Sequence, residues 1–100
     1  MTYTLDLNLY LTYIISMNSI EWTKKAVKQL RKLQRPDQQT IFAQTQTLAN
    51  WPNCQNVKSL SNHKHPYRLR VGRFRVFFDV DSDVKIIKIE EVKKRDENTY

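Results

Sequence analysis

Residues 67–81 read YRLRVGRFRVFFDVD, and for most of that stretch polarity changes at every step. Tyr67, Leu69 and Val71 alternate with Arg68 and Arg70, the period of a strand with one buried face. Gly72, the single glycine of the chain, stands where that strand has to reverse. Beyond it Phe74, Val76, Phe78 and Val80 lie opposite Arg73, Arg75 and Phe77. The stretch is a hairpin turning around Val71 to Arg73, apolar on one side and cationic on the other.

Working outward toward the C-terminus, Asp81-Ser82-Asp83 supplies a second turn into a strand over Val84 to Val92, whose apolar face carries Ile87 and Ile89. The chain then closes on the polar run Lys93 to Tyr100. On the other side, Asn50 to Pro66 shows no periodicity and reads as loop or ragged strand. An irregular connection of that length is more often functional than idle. Before it the period is helical. Ala26, Val27, Leu30 and Leu33 recur at steps of three and four behind Thr23 as N-cap, with Lys24, Lys25, Lys28, Arg31 and Lys32 on the opposite face. Arg35-Pro36-Asp37 breaks that helix, and a second runs from about Pro36 to Ala49 with Ile41, Phe42, Thr45 and Leu48 as its apolar set. Ser19 to Trp22 alternates as a short strand. The expected fold is α+β, in the order β-α-α-β-β-β, with an antiparallel sheet packed against a helical hairpin.

A chain of 100 residues is one domain. Residues 1–16 lack the basic start of a signal peptide and carry Asp6 and Asn8 within an apolar run far short of the ~20 residues needed to cross a bilayer. With Met17 directly before the patterned sequence, residues 1–16 are expected to be an extension outside the fold and 17–100 the domain. The one cysteine, Cys54, excludes an intrachain disulfide and a site built from cysteine pairs, and points to the reducing cytosol.

Seventeen Lys and Arg against ten Asp and Glu give a net charge of +7, which favours a polyanionic partner. Position sharpens this. Between Asn53 and Phe78 there is no acidic residue, yet the segment holds Lys58, Lys64, Arg68, Arg70, Arg73 and Arg75 with His63 and His65. Arginines this dense repel one another unless an anion lies between them. The alternative is that they are only the solvated side of an apolar strand face.

The segments IEWTKKAVKQLRKL (20–33), YRLRVGRFRVFFDVD (67–81) and IEEVKKRDENTY (89–100) resemble the RelE branch of the RelE/ParE toxin superfamily. The middle segment is the most specific, with alternate basic residues, a glycine turn and an aromatic-Arg step opening the next strand. The resemblance implies metal-independent mRNA cleavage in the 30S decoding site of the ribosome, in which the RNA's own 2′-hydroxyl attacks the adjacent phosphate. It implies no cofactor and no metal. Matched by position, Arg75, Arg95 and Tyr100 become the catalytic candidates. Arg75 would hold transition-state charge, and Tyr100 would accept a proton or stack on a base beside Arg95. Arg68, Arg70, Arg73, Lys58, Lys64, His63 and His65 are the candidate phosphate contacts. Where the resemblance implies lysine or arginine, this chain has arginine at both Arg68 and Arg70, and a guanidinium keeps its proton. The general acid is left open, with His63 and His65 as substitutes because histidine titrates near neutral pH.

The same resemblance implies a cognate antitoxin as partner, attracted by the cationic face, a cytosolic location and no membrane association. Two other readings stand beside it: a ParE-like poison of DNA gyrase, and a non-catalytic nucleic-acid-binding module.

Overall fold

A computed structural model describes residues 17–95. The expected extension, residues 1–16, and the candidate Tyr100 lie outside the described residues. The elements run β1 (Ser19–Trp22), α1 (Lys24–Arg31), α2 (Arg35–Gln46), a 3-10 turn (Thr47–Asn50), β2 (Val57–Ser59), β3 (Tyr67–Val71), β4 (Phe74–Asp81) and β5 (Ile86–Lys94). They form one five-stranded sheet in the order β1-β5-β4-β3-β2.

The α+β architecture is as expected, and the sheet is wider than the sequence suggested. β3, β4 and β5 make the antiparallel meander, while β1 joins it parallel to β5, from Ser19 beside Ile86 to Trp22 beside Ile89. A parallel neighbour needs a long crossover, and everything between β1 and β5 provides it. The second addition is β2, only three residues long, which pairs Val57, Lys58 and Ser59 with Leu69, Arg68 and Tyr67 inside the stretch expected to be irregular. Three residues are too few to show a period.

Each helix begins for a local reason. Thr23 holds extended backbone angles, and its Oγ1 accepts the amide of Ala26 at 3.1 Å, as an N-cap should. The same residue fastens α1 to the sheet, since its amide donates to the Ile89 carbonyl at 3.0 Å. β1 ends opposite Ile89, so the outer edge of β5 would be bare beyond that point. α1 takes over there, with Gln29 Oε1 accepting the Val92 amide at 2.7 Å. Pro36 sits in the first turn of α2, where its missing amide costs nothing. The α-helix stops at Gln46 and not at Ala49, the last stretch tightening into the 3-10 turn.

The core lies between the helices and one sheet face. Ile41 and Leu48 from the helical layer meet Leu69, Val76, Phe78, Ile87 and Ile89, all at most 1% exposed. Thr45 is also buried and turns its hydroxyl back to the Phe42 carbonyl at 2.7 Å, so no polar group is orphaned there. Phe42 departs from expectation. It is 52% exposed and stacks on Trp22 with centroids 6.3 Å apart, outside the core.

Two backbone irregularities set the opposite sheet face. Gly72 has φ of +54° in a two-residue turn flanked by the Val71–Phe74 pair, a conformation that suits glycine in the first central position of a tight hairpin. In β5, Phe77 pairs with Glu91 but Phe78 with Ile89, so Glu90 is an extra residue. The bulge keeps Ile87, Ile89 and Val92 in the core, and it places Glu91 on the far face beside Phe77.

Candidate functional site

The far face of the sheet gathers the charged strand residues into rows, because directly paired residues project to the same side. One row runs Arg70, Arg75, Lys93 across β3, β4 and β5. The next runs Lys58, Arg68, Phe77, Glu91 across β2 to β5. Three cations standing side by side in the first row repel one another, and nothing acidic lies within it.

Arg75 is the most constrained of them. It is 6% exposed, and its Nη1 donates to the carbonyls of Gly72 at 3.2 Å and Phe74 at 3.1 Å. Those bonds fix the guanidinium plane against the hairpin turn. The Nε of Arg75 is buried with no hydrogen-bond partner among the described residues.

The second row is less purely cationic than the sequence suggested, because the bulge brings a carboxylate into it. Glu91 is 5% exposed, is ion-paired with Lys25 of α1 and with Lys93 at 4.0 Å, and is hydrogen-bonded to His65. The hydrogen bond from Lys25 is the main reason its carboxyl lies below the ordinary range, helped by the charges of Lys93 and Lys25 and by the bond with His65, and opposed by burial.

His65 comes from the connection before β3 and is buried against this carboxylate. Its Nε2 is 3.1 Å from Glu91 Oε2, and its Nδ1 is 3.6 Å from Asp79 Oδ1. His63, two residues earlier, is exposed and lies flat on Phe77, with centroids 4.7 Å apart and planes 15° apart. Its Nδ1 is 3.0 Å from the His65 amide and 3.2 Å from the His65 carbonyl.

Of the other residues expected to form the site, Arg70 and Lys58 are exposed on this face and Arg68 is half-buried between them. Lys64 is exposed between the two histidines. Arg73 leaves the face: it sits in the turn, 3.7 Å from Asp37 at the start of α2 and over the Phe74 ring. Arg95 continues β5 past its last pair, donating its amide to the Arg73 carbonyl at 2.6 Å, so it is at the same end of the sheet as Arg75. Sequence reasoning missed Phe77, Glu91, Lys93 and Lys25. The step from Ile89 to Val92, three residues where two were due, was the available sign that Glu91 changes faces.

Among the described residues no group of three His, Cys, Asp or Glu side chains is placed to hold a metal, and no helix is long and apolar enough to cross a membrane.

This fold, two helices with a five-stranded, mainly antiparallel sheet, is that of the RelE-type toxins. The chain is similar to the archaeal RelE–RelB complex of Pyrococcus horikoshii at 26% identity and TM-score 0.69, with 81% of this chain and 98% of that one covered. It is similar to the RelBE2 toxin–antitoxin complex of Mycobacterium tuberculosis at 20% identity and TM-score 0.69, covering 79% and 99%. The chromosomal ParDE system of Pseudomonas aeruginosa matches at 24% identity and TM-score 0.63, covering 81% and 99%. No curated protein sequence matches. The family model of the ParE toxin of type II toxin-antitoxin systems matches residues 20–99. The chain therefore belongs to the ParE toxin family, within the RelE/ParE superfamily, and is a toxin of type II toxin-antitoxin type.

Proposed function

We propose that this toxin stops translation by cutting mRNA in the ribosomal decoding site, with no metal, through attack of the RNA 2′-hydroxyl on its own neighbouring phosphate. The observation that carries the reading is the row Arg70, Arg75, Lys93, with the Nε of Arg75 buried and unsatisfied at its centre. Such a row costs stability unless a phosphate occupies it. The fixed guanidinium is suited to the extra charge of a phosphorane-like transition state, and loss of one such donor typically lowers rate by ~10²–10³.

Arg70, Arg68, Lys58 and Lys64 serve the flanking phosphates, Arg95 serves the site from the end of β5, and Tyr100 accepts a proton or stacks on a base. Residues 17–100 form the working domain. In the cytosol a cognate antitoxin covers the cationic face, in keeping with relatives crystallised as RelE–RelB complexes. The matched family is named for ParE, which makes gyrase poisoning the second reading.

Purified toxin added to ribosomes programmed with a defined mRNA separates the two. The expected result is cleavage of the mRNA in the decoding site, abolished in Arg75→Ala. Intact mRNA together with gyrase-dependent DNA breaks would replace this reading with the second.

A further inference from the structure

A single-stranded nucleic acid is held by its bases as well as its phosphates, because each base offers flat faces to aromatic side chains. One ring on the cationic side of the sheet is set up for such a contact. His63 lies flat on Phe77, with centroids 4.7 Å apart and planes 15° apart, and Phe77 belongs to the row Lys58, Arg68, Phe77, Glu91. We infer that the outer face of the His63 ring is a stacking platform for one base of the bound RNA, with Phe77 as its support; the assignment rests on the RNA-directed reading above.

The ring uses one face and leaves the other open. His63 is exposed although it is part of a stack, Phe77 beneath it is half-buried, and His65, the other ring beside it, is tilted by 47° at 6.0 Å and is not stacked on it. The plane of the ring is also fixed. The His65 amide donates to His63 Nδ1 at 3.0 Å, which leaves the proton of the neutral ring on Nε2. The loop is closed at its ends, the Leu60 amide donating to the Pro66 carbonyl at 2.8 Å, and Asn62 takes φ of +55°, a left-handed conformation that asparagine tolerates. An exposed side chain held in this way has little rotamer freedom left to lose when a ligand arrives.

The charges around the ring suit a nucleotide. Lys64 follows His63 directly and Lys58 lies in the Phe77 row, both exposed, with Arg68 between Lys58 and Phe77. Glu91, the carboxylate of that row, is buried and already paired with Lys25, so it presents little repulsion to a phosphate. Asp79, two residues further along β4, faces His65 and ends the cationic surface on that side. In the other direction the backbone of the row Arg70, Arg75, Lys93 is two residues back along β4, roughly 7 Å away. An RNA strand seated on His63 therefore extends toward that row. Because every base has a flat π-face, the platform fixes the position of a nucleotide and tolerates its identity.

The test measures binding of the full chain to ribosomes programmed with an uncleavable mRNA, one lacking the reactive 2′-hydroxyl, and with a series of such mRNAs, each abasic at one successive nucleotide of the decoding site. His63→Ala should bind the intact mRNA about 10-fold more weakly, the scale of one lost base stack, and His63→Tyr, which restores a flat ring, should recover most of that loss. For the parent chain, one abasic position should weaken binding by the same ~10-fold, and at that position His63→Ala should cost nothing further. The parent series needs no variant, so it stands even where a substitution disturbs the loop. Parent affinity in His63→Ala, a tyrosine variant as weak as the alanine one, or an alanine penalty equal on every abasic mRNA overturns the platform and leaves His63 as a cover for Phe77. A parent chain that binds programmed ribosomes no better than ribosomes without mRNA overturns the RNA-directed reading itself, and the platform with it.

Discussion

His65 Nε2 lies 3.1 Å from Glu91 Oε2, and the two side chains are 7% and 6% exposed. The pair joins residues 26 apart in sequence, a long loop to the central part of the last strand. Because Lys25 of α1 reaches the same carboxylate, one buried group ties a helix, a strand and the histidine loop together. The same loop carries His63, whose ring lies flat on Phe77.

The junction should register in acid. Glu91 has a folded-state pKa below its ordinary value of 4.5, so the stability it contributes is fully present above that pH and is lost as pH falls through the lower, folded value. Glu91→Gln should be less stable than the parent by about 1–3 kcal/mol at neutral pH, the scale of a buried charged hydrogen bond left unmade. In urea unfolding series the gap should stay constant down to pH 4.5 and narrow below it. A gap unchanged at pH 3, a point ~1.5 units lower, would mean that the carboxylate charge is not what holds the junction.

Gln29 closes the edge of β5 that β1 is too short to cover, through the Val92 amide at 2.7 Å. Gln29→Leu leaves that amide without its acceptor, at a cost of about 1–3 kcal/mol. Hydrogen exchange locates the effect: the Val92 amide should lose protection while amides in the β3–β4 hairpin keep theirs once the change in global stability is subtracted.

Gly72 tests the turn. A Cβ there would meet nothing within 4 Å, so the penalty for substitution is conformational and arises from φ of +54° alone. Gly72→Ala should destabilise by about 1 kcal/mol and Gly72→Asn by less, since asparagine visits the left-handed region more readily. Thermal melting of both variants gives the order, and an alanine variant as stable as the parent would show that the turn relaxes to another form.

How much of this was legible in the residues follows from the length of each pattern. The hairpin at 67–81 alternates over enough positions to fix its two faces, and Gly72 marks its turn. Thr23 and Pro36 announce the helices by capping chemistry. β2 has three residues and no repeat of its own, and it exists because β3 offers an open edge. The parallel docking of β1 is likewise a tertiary choice that no local period records. Within the site the arginines were visible because alternation assigns them a side. Glu91 was not, because the extra residue Glu90 shifts it across the sheet. Phe42 was misplaced for a related reason, as helical spacing put it beside Ile41 while Trp22 draws it outward.

The opposition of Arg70 and Arg75 gives the sharpest separation between stability and function. Like charges directly across a strand pair are destabilising by about 0.2–1 kcal/mol, so Arg70→Ala should leave the free toxin as stable as the parent or slightly more so at low salt. The gain should fade as added salt screens the pair. RNA binding should move the other way. Measured on an uncleavable RNA lacking the reactive 2′-hydroxyl, the variant should bind more weakly, and its plot of log affinity against log salt should be shallower by about 0.7, one single-strand phosphate contact. Arg75→Ala should instead lose stability, because its Nη1 bonds to the Gly72 and Phe74 carbonyls go with it. An Arg70 variant with weaker folding and an unchanged salt slope would mean that the row is a structural feature of the sheet and that the RNA lies elsewhere.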